Sequence, residues 1–136
     1  MTPQEIFDTV AKHLFRQGCR SAELDEDPHS ACLYRGPEGR MCAVGVLIPY
    51  ELYNTDMEYQ NAAYLIGKVG SPFPEWMKAN ENLLHSLQIS HDRSHYWLSS
   101  EAMRERLRAV ATLYALSSTV LDGLSFAWEE TVDATG

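Results

Sequence analysis

The sequence predicts an α+β domain in which a small antiparallel β-hairpin or sheet is packed in a shell of about four to five α-helices. Three observations predict it. Two short apolar runs flank a Gly/Pro turn near residue 37, apolar residues recur at helical spacing in most other stretches, and 136 residues suffice for one core without disulfide staples. Residues 1–128 read as a single globular domain and 129–136 as a flexible tail.

The first helix has clear boundaries. Thr2 is placed to cap it, Pro3 suits its first turn, and Glu5 completes a capping box with Thr2. Ile6, Val10 and Leu14 form a stripe widened by Phe7, Ala11 and Phe15, and Gly18 ends the helix. Residues 19–30 read as loop, broken by Pro28. The runs 31–35 and 40–44, joined by Gly36-Pro37-Glu38-Gly39, read as the hairpin. Pro49 opens a short helix over 49–53, and 61–69 has a second helical pattern. A strong break at Gly70-Ser71-Pro72-Phe73-Pro74 precedes a helix over 74–90. Ser99 or Ser100 caps a long helix running to about 116, with Met103, Leu107 and Val110 on its apolar stripe. A last helix is expected over 119–128.

Lys plus Arg number 11 against 19 Asp plus Glu, a formal net charge of −8. That balance argues against direct nucleic-acid binding and against an anionic membrane surface. Residues 1–60 hold ten acidic and five basic groups, the densest acidic run being Glu23-Leu24-Asp25-Glu26-Asp27. No apolar run is long enough to span a bilayer, and MTPQEIFDTV lacks the basic and apolar regions of a signal peptide, so a cytosolic domain is expected. The three cysteines, Cys19, Cys32 and Cys42, form an odd set with no CxxC and are expected as free thiols.

Chemistry-bearing residues fall into three groups. Cys42 lies where an apolar run turns toward a helix, and His91, with Asp92 beside it, is a candidate base for a thiol nucleophile. An inert core cysteine is the alternative, and the apolar run 41–48 favours it. His91 and His95 share one face if a single helix carries both, and with Cys32 and Cys42 they would complete four metal ligands. The nine residues separating the two cysteines are more than zinc ribbons use, so neither a metal nor a cofactor is expected. Arg104, Arg106 and Arg108, followed by Ser117-Ser118, have the outline of a helix-turn-helix, but the net charge favours a solvated helix face paired with Glu101 and Glu105. No GxGxxG, P-loop or GxSxG occurs.

The run from Cys32 to Pro49, CLYRGPEGRMCAVGVLIP, together with Leu84-His85-Ser86-Leu87-Gln88-Ile89-Ser90-His91-Asp92 and 106–111, resembles a family of small phage and prophage proteins of uncharacterised activity. The family pattern is roughly C-x-Y-R-G-P-x-G-x-x-C-A-V-G-C-L-I-P-D followed by L-x-x-L-Q-x-x-H-D. This chain departs from it at Val46, where the pattern often has a cysteine, and at Tyr50, where it often has an acid. Arg35, Cys42, His91 and Asp92 match. The resemblance covers about residues 2–124 and implies a phage origin and action in the bacterial host cytoplasm. It implies no particular activity.

The expected function is therefore that of a small acidic accessory protein. It would bind and inhibit or modulate a host protein, such as a nucleic-acid-handling or defence complex, in the manner of an anti-CRISPR or other counter-defence protein. Glu23, Asp25, Glu26 and Asp27 would steer it, and Tyr50, Tyr53 and Tyr59 would supply contacts. The competing expectation is a hydrolase or transferase using Cys42, His91 and Asp92.

Overall fold

The computed structural model describes residues 1–24, 27 and 29–129. Five α-helices carry the fold: α1 (Pro3–Gln17), α2 (Ala62–Gly67), α3 (Glu75–Ala79), α4 (Glu81–Asp92) and α5 (Ser100–Leu113). Helix α1 starts as its sequence dictates. The Thr2 side chain accepts from the Glu5 amide, the Glu5 carboxylate accepts from the Thr2 amide, and Gly18 closes the helix at φ 75°. Its six apolar positions from Ile6 to Phe15 are buried. Helices α1, α4 and α5 pack on one another, and α2 and α3 lie against α4. Met77, Leu84, Leu87, Met103 and Leu107 fill the space between them. No helix among the described residues is long and apolar enough to cross a membrane.

The hairpin expected over 31–44 is absent, and with it the α+β class. The described residues contain no strand, only the isolated antiparallel bridges Ala22–Cys32 and Arg35–Met41. The cause lies in who takes the backbone donors. The Tyr34 and Arg35 amides donate to the Glu58 carboxylate at 2.8 and 3.1 Å. The Met41 amide donates to Gln17 Oε1 at 2.8 Å, while Gln17 Nε2 and His13 Nε2 both reach the Met41 carbonyl. The Val44 amide donates to Gln88 Oε1 at 3.0 Å. Distant side chains thus meet the hydrogen-bonding demand that a ladder would otherwise satisfy. Beyond Met41 the chain curls, with the Val46 amide on the Cys42 carbonyl and a 3₁₀ turn over Gly45–Leu47. Gly45 is required there, because a Cβ would sit 2.1 Å from the Tyr34 carbonyl oxygen.

Three expected helices also change. Residues 49–53 form only a turn, closed by the Leu52 amide on the Pro49 carbonyl. The helix expected over 74–90 is split at Asn80. The Asn80 amide donates to the Met77 carbonyl, and the Asn80 side chain takes the Trp76 carbonyl that a continuous helix would have used. The helix expected over 119–128 is broken into the 3₁₀ turn Thr119–Leu121 and a helical stretch over 127–129, with Gly123 at φ 85° redirecting the chain between them. Phe126 then enters the core, stacked between Trp97 and Trp128 and fixed by its amide on Ser100 Oγ. Glu129, assigned to the tail by sequence, takes the Ser100 amide on its carboxylate. Residues 130–136 lie outside the described residues.

Glu58 serves the Tyr34 and Arg35 amides and the Tyr53 hydroxyl together. Charge-assisted bonds to a partly buried carboxylate are worth about 1.5–3 kcal/mol each in favourable settings and are not additive. Glu58→Ala is expected to lower urea stability by about 3 kcal/mol, and Tyr53→Phe by about 1 kcal/mol. Equal, small losses for both variants would show that the Glu58 carboxylate does not hold the 34–35 backbone.

Candidate functional site

A cleft of about 460 Å³ opens between the segment around Cys32 and Tyr34, the segment 59–62 and one face of α4. Its α4 wall is His85, Gln88, Ile89 and Asp92, which recur at the three- and four-residue spacing of a single helix face. Tyr59, Gln60, Asn61 and Ala62 face them, and Cys32, Tyr34 and Cys42 line the cleft as well. No lysine or arginine lines it.

Asp92 is its only carboxylate. Asp92 Oδ1 accepts from His91 Nδ1 at 2.8 Å and from Gln88 Nε2 at 2.9 Å, and the side chain keeps 39% exposure. His91 is fully buried, and its Nε2 accepts from the Ser21 amide at 2.8 Å. A backbone N–H can only donate, so Nε2 carries no proton and the ring proton sits on Nδ1, aimed at Asp92. Gln88 works twice, accepting from the Val44 amide and donating to Asp92.

These bonds decide the cysteine chemistry. Cys42 is 1% exposed, its sulfur accepts from the Gly45 amide at 3.2 Å, and burial pushes its thiol up to about 12. No hydrogen bond joins it to His91, both of whose ring nitrogens are occupied elsewhere. The Cys42–His91 pair suggested by sequence is therefore not brought together as nucleophile and base. The thiol that meets the carboxylate is Cys32. Burial and the adjacent Asp92 raise Cys32 to about 11, while Arg20, with Nη1 3.6 Å from the sulfur, acts the other way. Both thiols are protonated at neutral pH, which is the wrong state for attack.

The sequence-derived ligand set is also corrected. Helix α4 ends at Asp92, and Arg93 is extended at φ −88° and ψ 117°. His95 therefore leaves the face of His91 and lies exposed against the Tyr96 ring. The ligand atoms that do converge belong to Cys32, His91 and Asp92, all within 4.8 Å of one another. They do not suit a coordinated metal ion. Coordination through Nδ1 would move the ring proton to Nε2, directly against the Ser21 N–H.

The surface residues fall into two groups. Tyr59, 68% exposed, donates its hydroxyl to Glu23, so that one acid meets the tyrosine wall of the cleft. Asp27 is exposed, and its carbonyl accepts from the buried Arg20. Asp25 and Glu26 lie outside the described residues. Tyr50, 84% exposed, and Tyr53 flank the Arg35 guanidinium, whose carbon is 5.5 and 4.5 Å from their ring centres. Two of the α5 arginines keep the expected face, Arg104 and Arg108 both pairing with Glu101 at 3.1 and 3.6 Å, while Arg106 turns to α4. Arg106 binds Ser90 and Ser86 on α4, and Arg104 holds the Leu124 carbonyl. Sequence reasoning missed Gln88, Glu58 and Arg20, whose roles have no periodicity or motif to reveal them.

No family model matches the chain, and neither a curated protein nor a solved structure matches it.

Two outcomes follow for the thiols and for metal. A thiol whose value rises from 9.0 to about 12 on folding stabilises the native state fully below about pH 9 and loses that contribution as pH rises toward 12. Native Cys42 is expected to resist a thiol reagent at pH 8, and Cys42→Ala to flatten the fall in urea stability between pH 9 and 12. Rapid native labelling at Cys42 would contradict its protonated, enclosed state. One equivalent of zinc is expected to move the melting temperature by less than about 1 °C, since only binding to the native state raises it. A rise of several degrees, abolished in Cys32→Ser, would establish a metal site.

Proposed function

We propose that this chain is a small acidic phage-type accessory protein that works by docking on a basic surface of a host protein in the bacterial cytoplasm and modulating or inhibiting it. A nucleic-acid-handling or defence complex fits the charge, because such complexes present basic surfaces that an acidic protein can occupy. The observation that supports this reading most is the Glu23–Tyr59 hydrogen bond. It supports the reading because Glu23, the first residue of the acidic run, bonds an exposed aromatic on the wall of a cleft that holds the Asp92 carboxylate. Interfaces favour tyrosine, and exposed charge acts over about 8 Å at physiological salt, so the run tunes encounter rate more than fold stability. The protonated state of both cleft thiols weighs against the Cys42 enzyme.

The test compares wild type with a variant in which Glu23, Asp25, Glu26 and Asp27 are all replaced by serine. Immobilised wild type is expected to capture a host protein from lysate at low salt. The variant is expected to capture at least about fivefold less and to lose the salt dependence of association, with a nearly unchanged melting temperature, since exposed substitutions cost under about 0.5 kcal/mol each. Equal capture and equal association rates at low salt would overturn the acidic run as the docking element.

A further inference from the structure

We infer that the cleft beside α4 is a receptor for one lysine ammonium of the partner, with Asp92 as its counter-charge. This deepens the docking reading above and rests on it. The cleft's lining combines one carboxylate, three side-chain amides (Gln60, Asn61 and Gln88), two tyrosines and one histidine, His85, with no lysine or arginine among the described residues that line it. The Asn61 oxygen caps α2 and the Gln88 oxygen already takes the Val44 amide, so an ammonium would meet the partly exposed carboxylate for charge, the Gln60 amide for a further N–H donor, and an aromatic wall. Arg20, 4% exposed, contacts the Cys32 thiol from the buried side and offsets part of the Asp92 charge, so the cleft's attraction for a cation rests on the exposed part of that carboxylate and on its polar walls.

The hydrogen bonds also choose between the two cationic side chains. Asp92 Oδ1 already accepts two bonds, from His91 Nδ1 and Gln88 Nε2, which fill its lone pairs. No nitrogen or hydroxyl among the described residues donates to Oδ2, and the carboxylate's further partner is the Cys32 thiol, a weak S–H donor that an ammonium can displace. A guanidinium gains most from forking across both oxygens of a carboxylate, which this carboxylate does not offer. An ammonium is a compact point charge that needs one oxygen, and Oδ2 offers it. The anion is held rigidly. His91 is locked between Ser21 and Asp92, so Oδ2 is presented without a side-chain ordering cost on binding. Tyr59 lines the cleft with its hydroxyl tied to Glu23, which adds a second carboxylate beside that wall.

The experiment titrates the intact, ¹⁵N-labelled protein with a blocked glycyl-lysyl-glycine tripeptide, and separately with its arginine counterpart, at low ionic strength. The lysine peptide is expected to shift the Gln88 and Asn61 side-chain amides and to bind at least about threefold tighter than the arginine peptide. Asp92→Asn is the decisive variant. An asparagine oxygen still accepts from His91 and Gln88, so the fold is preserved, while an NH₂ replaces Oδ2 and opposes the ammonium. Binding is expected to weaken about tenfold or more. Tyr59→Ala, at an exposed position, is expected to weaken it several-fold with the same spectrum elsewhere. Absence of cleft shifts with the lysine peptide overturns the proposal. So does arginine binding as tight as lysine, or affinity unchanged in Asp92→Asn. The tripeptide needs no partner, which separates this inference from the reading beneath it. Lysine binding to the cleft without any charge-dependent partner in lysate overturns docking and upholds the cleft's specificity. Capture that survives Asp92→Asn, with no tripeptide binding, overturns the cleft proposal alone.

Discussion

An irregular segment can be buried in a helical protein only if its backbone donors find partners other than a ladder. Residues 20–48 meet that constraint through side chains sent from elsewhere. His91 takes the Ser21 amide, Glu58 takes those of Tyr34 and Arg35, Gln17 takes Met41, and Gln88 takes Val44. An unmet buried amide costs about 1–3 kcal/mol, so this set decides whether the segment can pack on α1 and α4 at all. Gln17 shows the device most plainly. Its amide accepts from the Met41 N–H and donates to the Met41 carbonyl, doing with one side chain what a neighbouring strand would do.

The cleft is a by-product of the same arrangement. Gln88 and His91 hold the irregular segment with one end of the side chain and Asp92 with the other. Scaffold and site are therefore not separable here, and the carboxylate is positioned by the residues that make the fold possible. The same bonds bear on the thiols. Ordering Asp92 and Ser21 engages both nitrogens of His91, and the burial that stabilises the segment raises both Cys32 and Cys42.

Charge is arranged around that site with a division of labour. Cations are spent internally: Arg20 on the Asp27 carbonyl and Cys32, Arg35 on the Ile48 carbonyl and two tyrosines, Arg104 and Arg106 on carbonyls and serines of neighbouring elements. Glu23, bonded to Tyr59 of the cleft wall, and part of Asp92 face solvent there. Lys12, Arg16, Lys68, Arg93 and Arg108 stay exposed elsewhere, as do Glu5, Glu38, Glu51, Glu101 and Glu105, so the rest of the net charge of −8 is spread over the surface.

The amino-acid sequence by itself determined the features that depend on near neighbours. Helix α1 with its capping box and Gly18 stop, the Asn61 cap of α2, the break at 70–74 and the Ser99 cap of α5 are all written within a few residues of where they act. Only the tertiary structure decided the rest. The runs around Gly36–Gly39 carry the pattern of a hairpin, yet their donors are claimed by residues 23 to 44 positions away, and no local pattern announces that competition. The same holds for the site. Sequence placed Cys42 with His91 and His91 with His95, whereas the end of α4 at Asp92 and the Ser21 amide on His91 pair Asp92 with Cys32 instead. Helix caps are short-range bonds and are legible in order along the chain. Side-chain bonds to a distant backbone have no period, so they exist only once the chain has closed on itself.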